Sequence, residues 1–215
     1  KRVIDIYAVT SDKKPVTVPI KGGIPLRIES GAPTSIPLIQ TGTRLILKGN
    51  IIELTCANND LTALNVQGVP ALQKLDCSGN ELTSLDVHGL TDLRDLDCSD
   101  NKLKALDASG LINLKELGCS HNRLISFNVR GLRALEKLYC TYNQLTSLGI
   151  QELPVLKELY CGDNQISSLN TSGLAELQVL GCANNRLTSL SVRKLNALET
   201  LVCSNNLLFS LEIQD

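Results

Sequence analysis

The sequence predicts a solenoid of eight stacked repeats behind a β-rich N-terminal cap, and three observations support this fold class. Cysteine recurs every 21 residues, at Cys56, Cys77, Cys98, Cys119, Cys140, Cys161, Cys182 and Cys203. An asparagine follows three residues after each cysteine, at Asn59, Asn80, Asn101, Asn122, Asn143, Asn164, Asn185 and Asn206. Apolar residues make up 43% of the chain, yet aromatic residues reach only 3% and Met and Trp are absent. A core filled largely by leucine indicates one packing environment that is repeated many times.

The repeat reads L-x-x-L-x-C-x-x-N-x-L-x-x-L, followed by a looser apolar column. A fixed period of about 20 to 29 residues with this pattern is typical of leucine-rich repeats. The L-x-C stretch alternates, which predicts a short β-strand whose Leu and Cys side chains point inward. One such strand from each repeat would form a parallel sheet on the inner face of the solenoid. A repeat of 21 residues leaves little room for a helix, so we expect short extended or 3₁₀ segments on the outer face.

The even spacing of the cysteines favours reduced structural thiols over disulfides. Disulfide frameworks have irregular spacings, and zinc sites have close pairs such as C-x-x-C. Sulfur atoms on neighbouring in-register strands should lie about 5 Å apart, whereas a disulfide requires about 2.05 Å. Metal binding by the cysteine ladder is the weaker alternative, because a single column offers no tetrahedral pocket. The asparagines should form a second, buried ladder whose amides bond backbone groups of the same and adjacent repeats.

The two ends of the chain differ from the repeats. Residues 1–50 lack the repeat and predict a β-rich cap, and the solenoid is expected over residues 51–215. Short apolar runs between turn residues at 3–7, 16–18, 25–28 and 44–47 are typical of strands. A cap is expected because the open end of a solenoid exposes its core. The last repeat should be incomplete and without a cap of its own.

The composition argues against several functional classes. The formal net charge of -1 gives no reason to expect DNA, RNA or an anionic membrane as partner. No apolar run approaches the roughly 20 residues that a membrane span needs. No signal peptide is visible in a chain that starts at Lys1, which resembles a mature or trimmed form. We therefore expect a monomer with no cofactor, no bound metal, no nucleic-acid partner and no membrane span.

Partner-binding residues are expected on the inner face, in the columns three and one before and one and two after each cysteine. Three of the four tyrosines of the protein lie in these columns, and tyrosine is enriched at binding hot spots. The same columns hold eight acidic residues and two lysines, which favours a basic partner or, alternatively, only keeps the face soluble. The candidate residues are Tyr139, Tyr142, Tyr160, His121, Lys137, Glu116, Glu158, Asp163, Asp97 and Asp100.

Two chemical alternatives on the same face are weaker. His121 follows Ser120 and lies one repeat beyond Ser99, but a flat strand surface supplies no oxyanion hole and excludes no water, so we expect no catalysis. Carboxylates of one repeat can converge on a calcium ion, although no calcium-loop motif is present. The carboxylates in question are Asp95, Asp97 and Asp100.

The repeats also resemble a known family. The stretches at 75–87, L-D-C-S-G-N-E-L-T-S-L-D-V, and at 96–103, L-D-C-S-D-N-K-L, are similar to the repeats of bacterial cysteine-ladder proteins of the internalin J type. They are also similar to secreted leucine-rich-repeat surface proteins of Bacteroidetes. The stretch at 47–56, L-K-G-N-I-I-E-L-T-C, resembles the junction of cap and first repeat in these proteins.

The resemblance covers residues 43–215 well and the cap loosely. It implies a secreted or surface-exposed bacterial protein that binds a protein ligand in adhesion, biofilm formation or host interaction, and so contributes to virulence. It names no ligand, because leucine-rich-repeat proteins share a frame and differ in their exposed residues. The alternatives are a structural spacer that displays another domain, or the targeting domain of a secreted effector.

Overall fold

The computed structural model describes residues 2–18, 26–38 and 50–213, and within these ranges it contains strands and turns but no helix. The strands are β1 (Arg2–Thr10), β2 (Val16–Val18), β3 (Leu26–Ile28), β4 (Pro33–Leu38), β5 (Ile51–Thr55), β6 (Lys74–Asp76), β7 (Asp95–Asp97), β8 (Ala105–Asp107), β9 (Glu116–Gly118), β10 (Ser126–Asn128), β11 (Lys137–Tyr139), β12 (Glu158–Tyr160), β13 (Val179–Gly181), β14 (Ser189–Ser191), β15 (Thr200–Val202) and β16 (Ser210–Glu212).

Eight of these strands form the parallel part of one sheet, in the order β5-β6-β7-β9-β11-β12-β13-β15. Equivalent repeat positions lie side by side, so that Leu75 is the partner of Leu96 and Leu138 is the partner of Leu159. The central leucine of each strand is buried, apart from the half-buried Leu201 in β15. Because side chains alternate along a strand, the residues on either side of each leucine point away from the core. The predicted leucine-rich-repeat solenoid with a parallel inner sheet is confirmed.

The outer side of the solenoid combines extended segments with turns. β8 pairs with β10 and β14 pairs with β16, in each case in parallel. Elsewhere two β-turns follow one another, as where the N–H of Leu90 donates to the carbonyl of Val87 at 3.3 Å and the N–H of Leu93 donates to the carbonyl of Leu90 at 3.0 Å. The predicted extended segments are present. No residue in the described ranges belongs to a 3₁₀ helix, and these tandem turns occupy the remaining outer positions.

The N-terminal strands close one edge of the sheet. β1 is antiparallel to both β4 and β5, so the first strand of the repeat array is not an open edge. β2 and β3 form a separate antiparallel pair. The strands predicted at 3–7 and 16–18 lie in β1 and β2, and that predicted at 25–28 is represented by β3. The run at 44–47 and Pro25 lie outside the described residues. β4 was not predicted, because its two prolines weaken the strand pattern; prolines are tolerated on an edge strand such as this one.

The asparagine column joins successive repeats through buried hydrogen bonds. The Nδ2 of Asn122 donates to the carbonyl of Cys119 in its own repeat at 3.2 Å and to that of Cys98 in the preceding repeat at 3.0 Å. Its Oδ1 accepts the N–H of Leu103 at 2.9 Å. The six central asparagines are buried, whereas Asn59 and Asn206 at the two ends of the column are half-buried. Each amide thus satisfies backbone groups that would otherwise be unpaired inside the solenoid.

The cysteine column consists of free thiols in the core. Cys56 to Cys182 are buried, and only Cys203, in the last repeat, is half-buried. Burial raises the pKa of Cys140 and of Cys182 to about 12, and it raises the pKa of Cys98 further. Because the thiolate is the reactive form, these side chains behave as small apolar residues and not as nucleophiles.

Candidate functional site

The inner face consists of the side chains that flank the leucine and cysteine columns of the parallel sheet, and it carries an acidic surplus. Both of its lysines are matched by carboxylates. Lys74 lies 3.2 Å from Asp95, and Lys137 lies 3.9 Å from Glu116 and 3.6 Å from Glu158. The hydrogen bond to Asp95 and the charge of that residue raise the pKa of Lys74. The acidic side chains that have no lysine partner therefore give the inner face a net negative charge.

Tyr139 and Tyr160 form a stacked pair on neighbouring repeats. Their ring centroids are 5.4 Å apart and their planes differ by 16°. The hydroxyl of Tyr139 donates to Oε2 of Glu158 at 2.9 Å, and burial together with this bond raises the pKa of Tyr139. A Cβ atom added at Gly181 would lie 3.0 Å from Cδ1 of Tyr160, so the second ring lies against a position without a side chain. The pair is therefore fixed in place before any ligand arrives.

His121 and Tyr142 form a second stacked pair, two residues after the cysteines of the fourth and fifth repeats. Their ring centroids are 4.4 Å apart and their planes differ by 15°. Both rings are solvent-accessible, and Tyr142 is 53% exposed. The four rings, Tyr139, Tyr160, His121 and Tyr142, are called the aromatic patch below. They lie on three successive repeats, which concentrates large amphipathic side chains in the middle of an otherwise polar face.

The backbone of the second pair is left-handed, as it is at the same position of every repeat. Gly, Asn and Asp adopt this conformation readily and His does so fairly often, but for a bulky residue it is an outlier. Tyr142 is the one bulky residue of the column, and a left-handed backbone costs a side chain of this kind about 1–2 kcal/mol. The column comprises Asn58 (φ 55°), Gly79 (63°), Asp100 (53°), His121 (53°), Tyr142 (53°), Asp163 (53°), Asn184 (54°) and Asn205 (54°).

A depression of about 320 Å³ lies on the inner face beside the aromatic patch. Its floor is at Gly118, which pairs with Asp97 on one side and Tyr139 on the other. A Cβ atom at Gly118 would lie 2.9 Å from Oδ1 of Asp97 and 3.2 Å from Oγ of Ser99. The depression therefore exists because this repeat has no side chain where its neighbours have an aspartate and a tyrosine. Its lining also includes Lys74, Asp76, Asp95, Leu96 and Glu116.

The structure brings the predicted partner-binding residues onto one face, with Asp100 and Asp163 in the repeats that flank His121 and Tyr142. Glu116, Lys137 and Glu158 form a chain of ion pairs that reaches Tyr139. Asp97 borders the depression, where it accepts the N–H of Ser99 at 2.9 Å. Asp163 instead accepts Nδ2 of Asn184 at 3.0 Å. Asp100 is exposed on the repeat before His121.

The two chemical alternatives gain no support from the geometry. Oγ of Ser120 accepts the N–H of Thr141 at 3.2 Å, and the ring of His121 is stacked on Tyr142. The three aspartates of the third repeat do not form a cluster for calcium. Within residues 2–18, 26–38 and 50–213, no group of three or more His, Cys, Asp or Glu side chains could hold a metal ion.

Comparison with known proteins finds leucine-rich-repeat proteins of similar structure. A family model of two leucine-rich repeats matches residues 70–111 and 133–176. The functional domain of InlJ from Listeria monocytogenes, which includes a cysteine ladder, is 35% identical with a TM-score of 0.71, over 72% of this chain and 35% of that chain. A leucine-rich-repeat protein of Leptospira interrogans is 30% identical with a TM-score of 0.67, over 74% of this chain and 47% of that chain. Internalin C2 of Listeria monocytogenes, 22% identical with a TM-score of 0.56 over 72% of this chain and 80% of that one, shares the fold.

The chain spans about a third of the InlJ structure and about half of the Leptospira protein. No curated protein matches it. The described part of the chain has no helix with the length and apolar character needed to cross a membrane. The chain is therefore a leucine-rich-repeat solenoid with a cysteine ladder, similar to the functional domain of InlJ.

Proposed function

We propose that this protein is a non-catalytic binding module that recognises a protein ligand through its inner face, with the aromatic patch at the centre of the contact. The observation that carries the proposal is Tyr142. A bulky exposed residue occupies a left-handed position that Asn, Asp or Gly fills in most other repeats. Strain of this kind in the backbone points to a role other than stability.

The arrangement of the patch also suits a protein ligand. Tyrosine buries a large amphipathic surface while losing few rotatable bonds, and both stacked pairs are already ordered. Preorganised side chains bind more tightly because less entropy is lost on association. The ion pairs of Lys137 with Glu116 and Glu158 border the Tyr139 end of the patch, as expected of a polar rim. The acidic surplus would repel a phosphate backbone, which disfavours nucleic acid as the ligand.

We further propose that the protein is monomeric, is secreted or exposed on the surface of a bacterium, and acts in adhesion, biofilm formation or host interaction. The similarity to InlJ supports this context. Residues 1–50 would act as the cap and residues 51–215 as the binding solenoid. In this setting buried thiols carry no risk of exchange, because thiolates do not form in the core.

The test uses three baits: the wild-type protein, a variant with Tyr139→Ala, Tyr142→Ala and Tyr160→Ala, and a control with Ile112→Ala and Ile125→Ala. The control residues are 59% and 62% exposed, comparable with Tyr142 at 53%, but lie outside the inner-face columns. Circular dichroism first establishes that all three baits are folded. Each bait is then incubated with extracellular-matrix extract and with surface proteins of co-resident bacteria.

We expect proteins captured by the wild type and by the isoleucine control to be lost with the tyrosine variant. Truncation of a hot-spot tyrosine typically costs about 2 kcal/mol or more in binding. Equal capture by all three baits would place the contact elsewhere. Loss of the captured proteins with the isoleucine control alone would assign the contact to the outer side of the solenoid. Capture of nothing by any bait would favour a spacer that displays another domain.

A further inference from the structure

The depression at Gly118 has a chemical character that distinguishes it from the rest of the inner face. Asp97 and Tyr139 occupy the repeats on either side of Gly118, so their backbones stand about 10 Å apart. The missing side chain lets Asp97 and Ser99 lean over Gly118, with Oδ1 of Asp97 2.9 Å from the position of a Cβ atom, and the depression lies above them. The depression, about 320 Å³ in volume, has the Asp97 carboxylate at its floor and the Tyr139 ring at one side.

The charges around the depression favour a cation. Its lining contains four carboxylates, of Asp76, Asp95, Asp97 and Glu116, but a single ammonium group, that of Lys74. That ammonium group is held by Asp95 at 3.2 Å. Asp97 accepts the N–H of Ser99 and keeps acceptor positions for a further donor. An anionic group entering the depression would meet like charges on several sides.

The ring of Tyr139 forms one wall of the depression and indicates which kind of cation fits there. Tyr139 stacks on Tyr160 and also lines the depression, so one face of its ring is covered and the other is turned toward Gly118. The hydrogen bond of its hydroxyl to Glu158 holds the ring in this orientation. A guanidinium group stacks flat on a tyrosine face while it donates paired hydrogen bonds to a carboxylate in its own plane, whereas an ammonium group is attracted to both only as a point charge, without the planar match.

We infer that the Gly118 depression receives an arginine side chain of the protein ligand, stacked on Tyr139 and hydrogen-bonded to Asp97. The inference rests on the proposed binding function of the inner face and names the chemistry of its partner. It implies that the ligand presents an arginine next to a surface that covers the tyrosines. The specificity of the contact would then come from the depression, and much of its buried area from the aromatic patch.

The probe is a capped tripeptide, acetyl-Gly-Arg-Gly-amide, titrated into the ¹⁵N-labelled protein and followed by amide chemical shifts. Its control is the same peptide with citrulline, which has the shape of arginine without the charge. We expect the arginine peptide to shift the amides of Asp97, Gly118 and Tyr139, and the citrulline peptide to bind at least about tenfold more weakly. Equal binding of the two peptides would overturn the inference.

Two variants test the geometry. Gly118→Ala fills the floor in a strand, where alanine needs no unusual backbone, and should abolish the shifts. Gly149→Ala is the control, because it adds the same methyl group where only Gln151 Oε1 comes near, at 3.9 Å, and it lies outside the depression. Asp97→Asn keeps the shape and removes the charge, and should weaken binding about tenfold. Shifts that persist in Gly118→Ala, or that are as large around Asp100 and Asp163, would reveal only general attraction to an acidic face.

The outcome separates this inference from the proposed function. If a captured ligand is lost with the tyrosine variant but retained by Gly118→Ala and Asp97→Asn, the inner face binds protein and the arginine site is wrong. If the arginine peptide binds at Gly118 while capture is indifferent to the tyrosines, the aromatic patch is not the centre of the contact.

Discussion

Alkaline pH should unfold this protein through its cysteine column. Seven cysteines are buried with a raised pKa, namely Cys56, Cys77, Cys98, Cys119, Cys140, Cys161 and Cys182. The cause at each position is first of all burial, which disfavours the thiolate. In the unfolded chain these thiols regain their ordinary pKa of 9.0. A pKa that is higher in the folded state means that stability is complete below about pH 9 and falls as the pH rises from there toward about 12.

The size of the effect follows from the number of thiols. A thiol with an unfolded pKa of 9.0 that cannot ionise in the folded protein lowers the stability by about 1.4 kcal/mol at pH 10. Seven such thiols lower it by about 10 kcal/mol, which is comparable with the whole stability of a typical domain, about 5–15 kcal/mol. We therefore expect the protein to unfold near pH 10 in the presence of a reductant.

The assay is urea unfolding, followed by circular dichroism in a phosphine reductant, at intervals from pH 7 to pH 10.5. The free energy of unfolding should be nearly constant up to about pH 8 and should then fall with a slope approaching about 9.5 kcal/mol per pH unit. In a variant with Cys98→Ala and Cys140→Ala the slope should be smaller by about 2.7 kcal/mol per pH unit. The raised pKa of Tyr139 acts in the same direction. Because Tyr139 is present in both proteins, it does not affect the difference between their slopes.

The control variant carries Ser147→Ala and Ser168→Ala, two exposed positions of the same repeat array, and its slope should equal that of the wild type. A free energy of unfolding that stays constant to pH 10.5 would refute the argument. So would a slope that is unaffected by removal of the two cysteines, because the protons released on unfolding would then come from other groups.

Two further predictions concern the columns that hold the solenoid together. Asn122→Ala should lower the free energy of unfolding by about 1–3 kcal/mol, because backbone groups of two repeats lose their partners; the exposed Arg123→Ala should be nearly silent, and equal losses in urea unfolding would show that the amide is not needed. In native protein at neutral pH a maleimide should label the half-buried Cys203 first and the seven buried thiols only after denaturation. Mass spectrometry that finds early labelling of Cys119, or disulfides within the chain, would contradict the free-thiol ladder. Cys119→Ser should cost about 1–3 kcal/mol, because a hydroxyl replaces an apolar group in the core.

The fold could be predicted from the sequence because its determinants repeat. A leucine or asparagine that is wrongly assigned in one repeat is corrected by the equivalent residues of the seven others. The constant spacing of the cysteines from Cys56 to Cys203 also fixes the register of the strands in the parallel sheet. The N-terminal region has no such redundancy. There β4 escaped prediction, since two prolines in six residues argue against a strand unless its position at an edge is known.

The inner face was only partly predictable. Periodicity places Tyr139, Tyr142 and Tyr160 on one side of the sheet, because side chains alternate along a strand. Periodicity does not show that the backbone at Tyr142 is left-handed, although the Asn, Asp and Gly residues at its equivalents carry that signal. The depression at Gly118 exists because this position, just before the cysteine, has no side chain. Its shape depends on the orientations of the Asp97 and Ser99 side chains, which periodicity does not give.

The variant Tyr142→Asn tests whether the inner face is shaped for binding and not for stability. Asn is native at the equivalent positions Asn184 and Asn205, with the same backbone. Relief of the left-handed strain, about 1–2 kcal/mol, should offset loss of the stack on His121, about 0.5–1.5 kcal/mol. The free energy of unfolding should therefore stay within about 1 kcal/mol of the wild type, while affinity for the captured ligand falls by about tenfold or more. Loss of stability with undiminished affinity would make Tyr142 a structural residue and would contradict a role of the aromatic patch in binding.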